Sequence, residues 1–267
     1  MMMREPSEFR VPVPAESTIY IVGGTSGVGL EVARRFVRAG AQRIGLVGRN
    51  VERGEKAAQH IRTLAPGVWC LFAAADVNVP GEAVRVVAEL ADSLGAADIL
   101  VNSTTGSFNP RLFHEMDPED IPGVLLNQAL GPINMCRAVL PAMRQQRGGV
   151  IVNIASDAAK HPTPGESVIG AAMAAIVMFS KTLAMEAKRD GIRVNSVTPS
   201  LIRDTGGFDR VMSEPFSAKL FEKASRLASL GVAEPGDVAD LVLFLCGTQA
   251  RRITGQVVSP NGGISAG

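Results

Sequence analysis

Residues 18–40 read TIYIVGGTSGVGLEVARRFVRAG, and they decide the fold. TIYIV is a short apolar run rich in β-branched residues, suited to a strand buried on both faces. It runs into a glycine cluster, Gly23-Gly24-Thr25-Ser26-Gly27-Val28-Gly29. GLEVARRFVRAG follows as an amphipathic helix closed by Gly40. Strand, glycine turn and helix in that order predict the first unit of a parallel α/β sheet. The glycines let the backbone turn tightly and approach a ligand, and the helix N-terminus offers unpaired N–H groups to an anion. The alternative at this point is an ordinary tight turn.

The same alternation continues outward. RIGLVG is the next strand, followed by a helix over 51–65, the strand VWCLFAAAD, a helix over 81–95 and the strand DILVNS. A long helix to about Gln146, the strand GVIVNIAS, a helix containing ESVIGAAMAAI (166–176) and the strand IRVNSVTP complete the pattern. PGDVADLVLFLCG and GQVVS close the edge. The expectation is a single-domain Rossmann fold of class α/β over 17–267, a doubly wound parallel sheet of about seven strands flanked by helices. Residues 1–16 read as an N-terminal arm without the apolar segment of a signal peptide. Residues 200 to about 216 are irregular and open a substrate loop over about 200–230, with a mobile surface loop as the alternative.

Composition narrows the partners. With 46% hydrophobic and 20% charged residues, 267 residues suit one large domain. Lys and Arg are scattered and the net charge is +1, so no footprint for nucleic acid or an anionic membrane is present. The longest apolar run, 168–179, is short of the roughly 20 residues that span a bilayer. Cys70, Cys136 and Cys246 stand far apart with no histidine at ligand spacing, which predicts reduced core residues in a cytoplasmic protein and no metal site. A small-molecule substrate or ligand is the partner class left.

The spacing Gly23-x-x-x-Gly27-x-Gly29 resembles the nucleotide motif of the short-chain dehydrogenase/reductase family, and further landmarks fall in family order from about 18 to 263. These are Asp76 after the third strand, Asn102 after the fourth, Gly131-Pro132 in the long helix, IVNIAS ending in Ser156, RVNSVTP ending in Pro199, and ITGQVV with NGG near the end. The resemblance implies a nicotinamide cofactor, NADP or NAD, held by Gly23, Thr25, Ser26, Gly27, Val28 and Gly29, with Val77, Pro199 and Ile202 in the same set. It implies that Asp76 contacts the adenine and that Asn102 shapes the adenine side. Arg49, just past the second strand, resembles the basic residue that meets a 2′-phosphate, and so favours NADP; its alternative is a solvated turn arginine.

The family's chemistry uses a tyrosine, a lysine four residues later, a serine, and an asparagine on the preceding long helix. Counted from Ser156, the tyrosine position is Ile169 and the lysine position Met173; neither side chain can donate, accept or carry charge. Slipping the register does not help, because the only tyrosine is Tyr20, in the first strand. Lys181 lies eight residues past Met173, roughly 12 Å along the helix. The asparagine position is Gln128, the family's threonine before the first glycine is Val22, its NNAG reads Asn102-Ser103-Thr104-Thr105, and the glycine after Pro199 is Ser200.

Two residues are candidates to replace the proton donor. In the enoyl-reductase branch of the superfamily the tyrosine sits seven residues before the lysine, and seven before Met173 is Glu166. A buried carboxyl there would act as a general acid, whereas the plainer reading is an acid in a helix's first turn. His161 is the other, against a surface role in its Pro162-flanked loop. Three functions follow: an atypical NAD(P)-linked oxidoreductase using Ser156 with Gln128, Glu166 or His161; a catalytically silent subunit pairing with an active paralogue; or a non-redox catalyst, such as a cyclase or dehydratase, or a ligand-binding protein. The resemblance also implies a homo- or hetero-oligomer joined through the long helix and the helix after it.

Overall fold

The computed structural model describes residues 9–104, 106 and 108–266. Thr105 and residues 1–8 of the expected N-terminal arm lie outside the described residues. Strands β1 (Thr18–Val22), β2 (Arg43–Gly48), β3 (Trp69–Ala74), β4 (Ile99–Asn102), β5 (Gly149–Ile154), β6 (Ile192–Val197) and β7 (Val257–Val258) form one sheet in the order β3-β2-β1-β4-β5-β6-β7. Every neighbouring pair is parallel. The order reverses at β1, so the crevice where ligands bind in such sheets opens at the carboxyl ends of β1 and β4.

Alternation within the strands sends side chains to two cores. Ile19 and Ile21 of β1 join Ile44 and Leu46 of β2 under α1 (Gly27–Arg38), α2 (Val51–Arg62) and α8 (Pro235–Cys246). Tyr20 and Val22 face the other way, against α3 (Pro80–Leu94), α4 (Asp120–Gln146) and α5 (Ser167–Ala187). All five β1 residues are buried, which is why the strand reads as a continuous apolar run. Each large aliphatic residue so buried contributes roughly 1.5–3 kcal/mol. The lone tyrosine is part of this core. Its hydroxyl donates to the Gly95 carbonyl at 2.8 Å, and burial together with the Asp98 charge holds the phenol protonated far above its ordinary range.

The three cysteines are free and buried. α5, with the turn after it, gives an apolar helical segment (Ser167–Asp190) longer than the run 168–179 suggested, and long enough by length and composition to cross a membrane. In this fold it packs against α4 and β6, burying Met173, Ile176, Val177, Leu183 and Ala184.

The irregular stretch expected after β6 is corrected by the structure. After a bridge between Ile202 and Ala233, α6 (Gly206–Met212) and α7 (Pro215–Leu227) occupy most of the loop. Thr205 caps α6 by accepting from the Phe208 N–H, and Pro215 starts α7 where its missing N–H costs nothing. Gly206-Gly207 and Pro215 look like loop formers in sequence because the same residues that break helices also begin them.

Candidate active site

A cleft of ≈ 780 Å³ opens at the carboxyl ends of the strands. Its first wall is backbone. Gly23 has φ +75° and donates its N–H to the Val47 carbonyl at 2.8 Å; a Cβ there would stand 2.3 Å from the Ser103 oxygen. A Cβ on Gly29 would stand 2.4 Å from the Gly23 oxygen, so α1 starts in direct contact with the turn. Ser26 occupies the N-cap yet makes no side-chain cap bond, leaving the first N–H groups of α1 unpaired by it at the cleft wall. Gly23, Thr25, Ser26, Gly27 and Val28 all line the cleft, while Gly29 lies behind it as packing. This open cradle fits a pyrophosphate.

The next wall carries charge and amide groups. Arg49 lines the cleft, and so does Arg53 in the first turn of α2; both are exposed and neither joins an ion pair among the described residues. Arg53 was not singled out from sequence, although its place one helical turn beyond Arg49 was readable. Asp76 accepts from Asn78 through both the backbone N–H and the side-chain amide. Val77 is buried at the cleft edge, and its Cγ2 would lie 2.9 Å from a Cβ on Gly131, whose N–H donates to Asn78 Oδ1. The glycine at 131 thus lets α4 pass close to the β3 loop. Asn102 does not line the cleft. It is fully buried beneath it, donating to Asn153 Oδ1 at 2.8 Å, and Asn153 donates to Ser180 on α5, so the chain of amides ties β4, β5 and α5 together.

The far end brings together Ser156, Glu166, Ile169, Met173 and Gln128, with Pro199 and Ile202 across the β6 loop. Ser156 lies two residues past the end of β5 and accepts weakly from the Ala158 N–H at 3.3 Å. Its neighbour Asp157 is buried and accepts from Ser259, Asn261 and Ser265, which fastens the chain after β7 under the serine loop. Gln128, buried on α4, accepts the Gly106 N–H at 2.9 Å and holds the loop after β4. Among the described residues lining the cleft there is no tyrosine or lysine. Lys181 is exposed farther along α5. His161 is exposed and outside the cleft, so the structure does not bring it to Ser156.

Glu166 sits at the N-cap of α5, where its backbone N–H donates to the Thr163 carbonyl at 3.0 Å. Its side chain makes no capping bond. Burial raises its carboxyl from 4.5 to about 7; a hydrogen bond to Thr163 opposes the rise and the Asp157 charge adds to it. The helix terminus favours the anion, but desolvation outweighs it here. Glu166 also lines a second opening of ≈ 420 Å³, bounded by Pro162, Thr163, Pro164 and Gly170. Glu166 therefore borders both openings.

Residues 17–214 match the short chain dehydrogenase family. The 3-oxoacyl-(acyl-carrier-protein) reductase of Chlamydia muridarum is 34% identical over 247 residues, covering 92% of this chain and 96% of the relative. Among solved structures, an NADPH-bound short chain oxidoreductase from Pseudomonas aeruginosa PAO1, described as containing an atypical catalytic center, superposes with a TM-score of 0.86 at 25% identity, covering 97% of this chain and 100% of that one. L-sorbose reductase from Gluconobacter frateurii, complexed with NADPH and L-sorbose, gives a TM-score of 0.82 at 30% identity over 96% of this chain and 98% of that one.

Proposed function

The chain belongs to the short-chain dehydrogenase/reductase family, and we propose that it is an NADP(H)-linked oxidoreductase of small carbonyl or alcohol substrates in which Glu166 replaces the family's tyrosine as proton partner. The observation that carries this reading is the placement of the Glu166 carboxyl in one cleft with Ser156, Ile169 and Met173, at an acidity near neutral pH. A proton donor works best when its pKa lies near the working pH. The NADPH-bound relative with an atypical centre supports the view that this fold carries cofactor chemistry on a rewritten site.

The cradle at Gly23 and the N-terminus of α1 would hold the pyrophosphate, Asp76 and Val77 the adenine side, and Arg49 with Arg53 a 2′-phosphate. When bound, the reduced nicotinamide supplies the hydride. Protonated Glu166 gives its proton to the substrate oxygen, and the Ser156 hydroxyl donates a hydrogen bond to the same oxygen. The carboxylate left behind regains a proton from solvent through the opening at Pro162–Gly170 side of the loop. In the oxidative direction the carboxylate accepts the hydroxyl proton. Gln128 holds the Gly106 loop, while Ile169 and Met173 keep the wall apolar and so keep the Glu166 carboxyl desolvated. α6 and α7 form the substrate lid.

Titration of the purified chain with NADPH and NADH tests the reading. Saturable binding with NADPH preferred is the expected result, and no binding of either at millimolar concentration overturns it. A second reading, a silent subunit paired with an active paralogue, is favoured by the cleft's lack of Tyr and Lys and by the exposed Leu126, Met178 and Met185 on α4 and α5. Co-purification with a Tyr- and Lys-bearing homologue, coupled to loss of all cofactor binding by the isolated chain, would replace the first reading with the second.

A further inference from the structure

The substrate end of the cleft holds a cation, Arg210. Arg210 lies on α6 and lines the same space as Glu166, Ile169 and Met173. Its Nη2 donates to the Gly106 carbonyl at 3.2 Å; among the described residues its buried Nε has no hydrogen-bond partner and it joins no ion pair. The backbone that carries it is fixed: Thr205 caps α6, and the Ser213 hydroxyl donates to the Arg210 carbonyl at 2.7 Å.

Phe108, Phe208, Val211 and Phe221 line the same cleft and make part of its wall apolar. A guanidinium stays charged at every working pH, and a charged group in such surroundings is costly unless an anion meets it. Arg49 and Arg53 stand after β2 and the N-terminus of α1 faces the cleft beside β1, so the proposed cofactor phosphates have donors that do not include α6. A guanidinium fork pairs best with a planar or tetrahedral oxoanion, through parallel N–H···O bonds.

We propose that Arg210 is the specificity-determining residue of the substrate pocket, binding an anionic head group, carboxylate or phosphate ester, on an otherwise apolar carbonyl or alcohol substrate. This rests on the reading of the cleft as an oxidoreductase site. Anion pairing at Arg210 would hold α6 against the Gly106 loop, so recognition of the head group and closure of the lid are one event.

Binding of three probes to the purified full chain, with and without NADPH, tests it: hexanoate, hexyl phosphate and the neutral hexanamide. The wild type is expected to bind one or both anions more tightly than hexanamide, and the preferred anion identifies the head group. Arg210→Leu should weaken the preferred anion by roughly tenfold or more while leaving hexanamide and NADPH affinity unchanged. Arg210→Lys, which keeps the charge and loses the fork, should retain part of the preference and covers the case in which the leucine variant does not fold. Equal binding of hexanamide and the anions by wild type, no binding of any probe, or a loss of NADPH affinity in Arg210→Leu with anion affinity unmoved would each overturn the proposal. An anion preference that persists without any NADPH binding would sink the oxidoreductase reading and leave the Arg210 assignment standing.

Discussion

The two ends of the cleft are built by different means. At the β1–α1 end the shape is made by absent side chains: Gly23 and Gly29 sit where a Cβ would come within 2.4 Å of a backbone oxygen. At the β5–α5 end the shape is made by side chains, with Ser156 just past β5 and Glu166, Ile169 and Met173 at the cap and in the first two turns of α5. A backbone-built wall tolerates almost no substitution, because moving it moves the sheet. A side-chain wall can change its chemistry while the helix beneath keeps its packing, and here Ile169 and Met173 of α5 line the cleft.

The sharpest way to break this comparison is to remove the chemistry without moving the scaffold. Glu166→Gln should lower turnover at pH 7 by on the order of 10²–10³-fold with little change in cofactor affinity. In wild type, reduction should fall as pH rises through about 7, since it needs the protonated carboxyl, and the variant should lose that dependence. The stability sign follows the same shift. With its pKa raised from 4.5 to about 7, Glu166 binds more protons in the folded than in the unfolded state across that window, so native stability declines as pH rises through it. The gain of Glu166→Gln over wild type in thermal melts should therefore appear at pH 8 and shrink towards pH 5, with an upper bound of about 3 kcal/mol. A gain independent of pH would show that the carboxyl is not desolvated.

At the other end, Gly23→Ala should cost about 3 kcal/mol, because the residue has φ +75° and its Cβ would meet the Ser103 oxygen at 2.3 Å. A fall in melting temperature of roughly 6–12 °C is the expected reading, and an unchanged melt would mean the turn can relax. A smaller effect is expected at the charged edge. Arg49→Ala should weaken NADPH by roughly tenfold and leave NADH nearly unmoved, which a pair of titrations would check. The smallest change belongs to His161→Ala, exposed and outside the cleft, where turnover should stay within about twofold of wild type.

Much of the fold was legible along the chain. Each buried strand is a short apolar run, α1, α2 and α3 show a repeating apolar face, and the order of strands and helices specifies parallel crossovers. The segment after β6 was not legible, since Gly206, Gly207 and Pro215 serve equally as loop residues and as the first residues of α6 and α7. In the site, the glycine turn and Ser156 were picked out through the family resemblance, which also implies a tyrosine and a lysine where Ile169 and Met173 stand. Arg210 was not. It lies 54 residues beyond Ser156 and reaches the cleft only because α6 folds back over the Gly106 loop.

The sequence by itself determined the doubly wound sheet and the glycine turn, because these depend on residue type and local spacing. Tertiary structure decided what the remaining polar groups are. It buried Asn102 under the floor of the cleft, put His161 outside it and turned Tyr20 into a core residue hydrogen-bonded to Gly95. It also desolvated Glu166 beside Asp157, raising a carboxyl that sequence alone would assign to a solvated helix end. The physical reason is that proton affinity and charge pairing depend on solvent exclusion and on neighbours from distant segments, and neither is encoded by spacing along the chain.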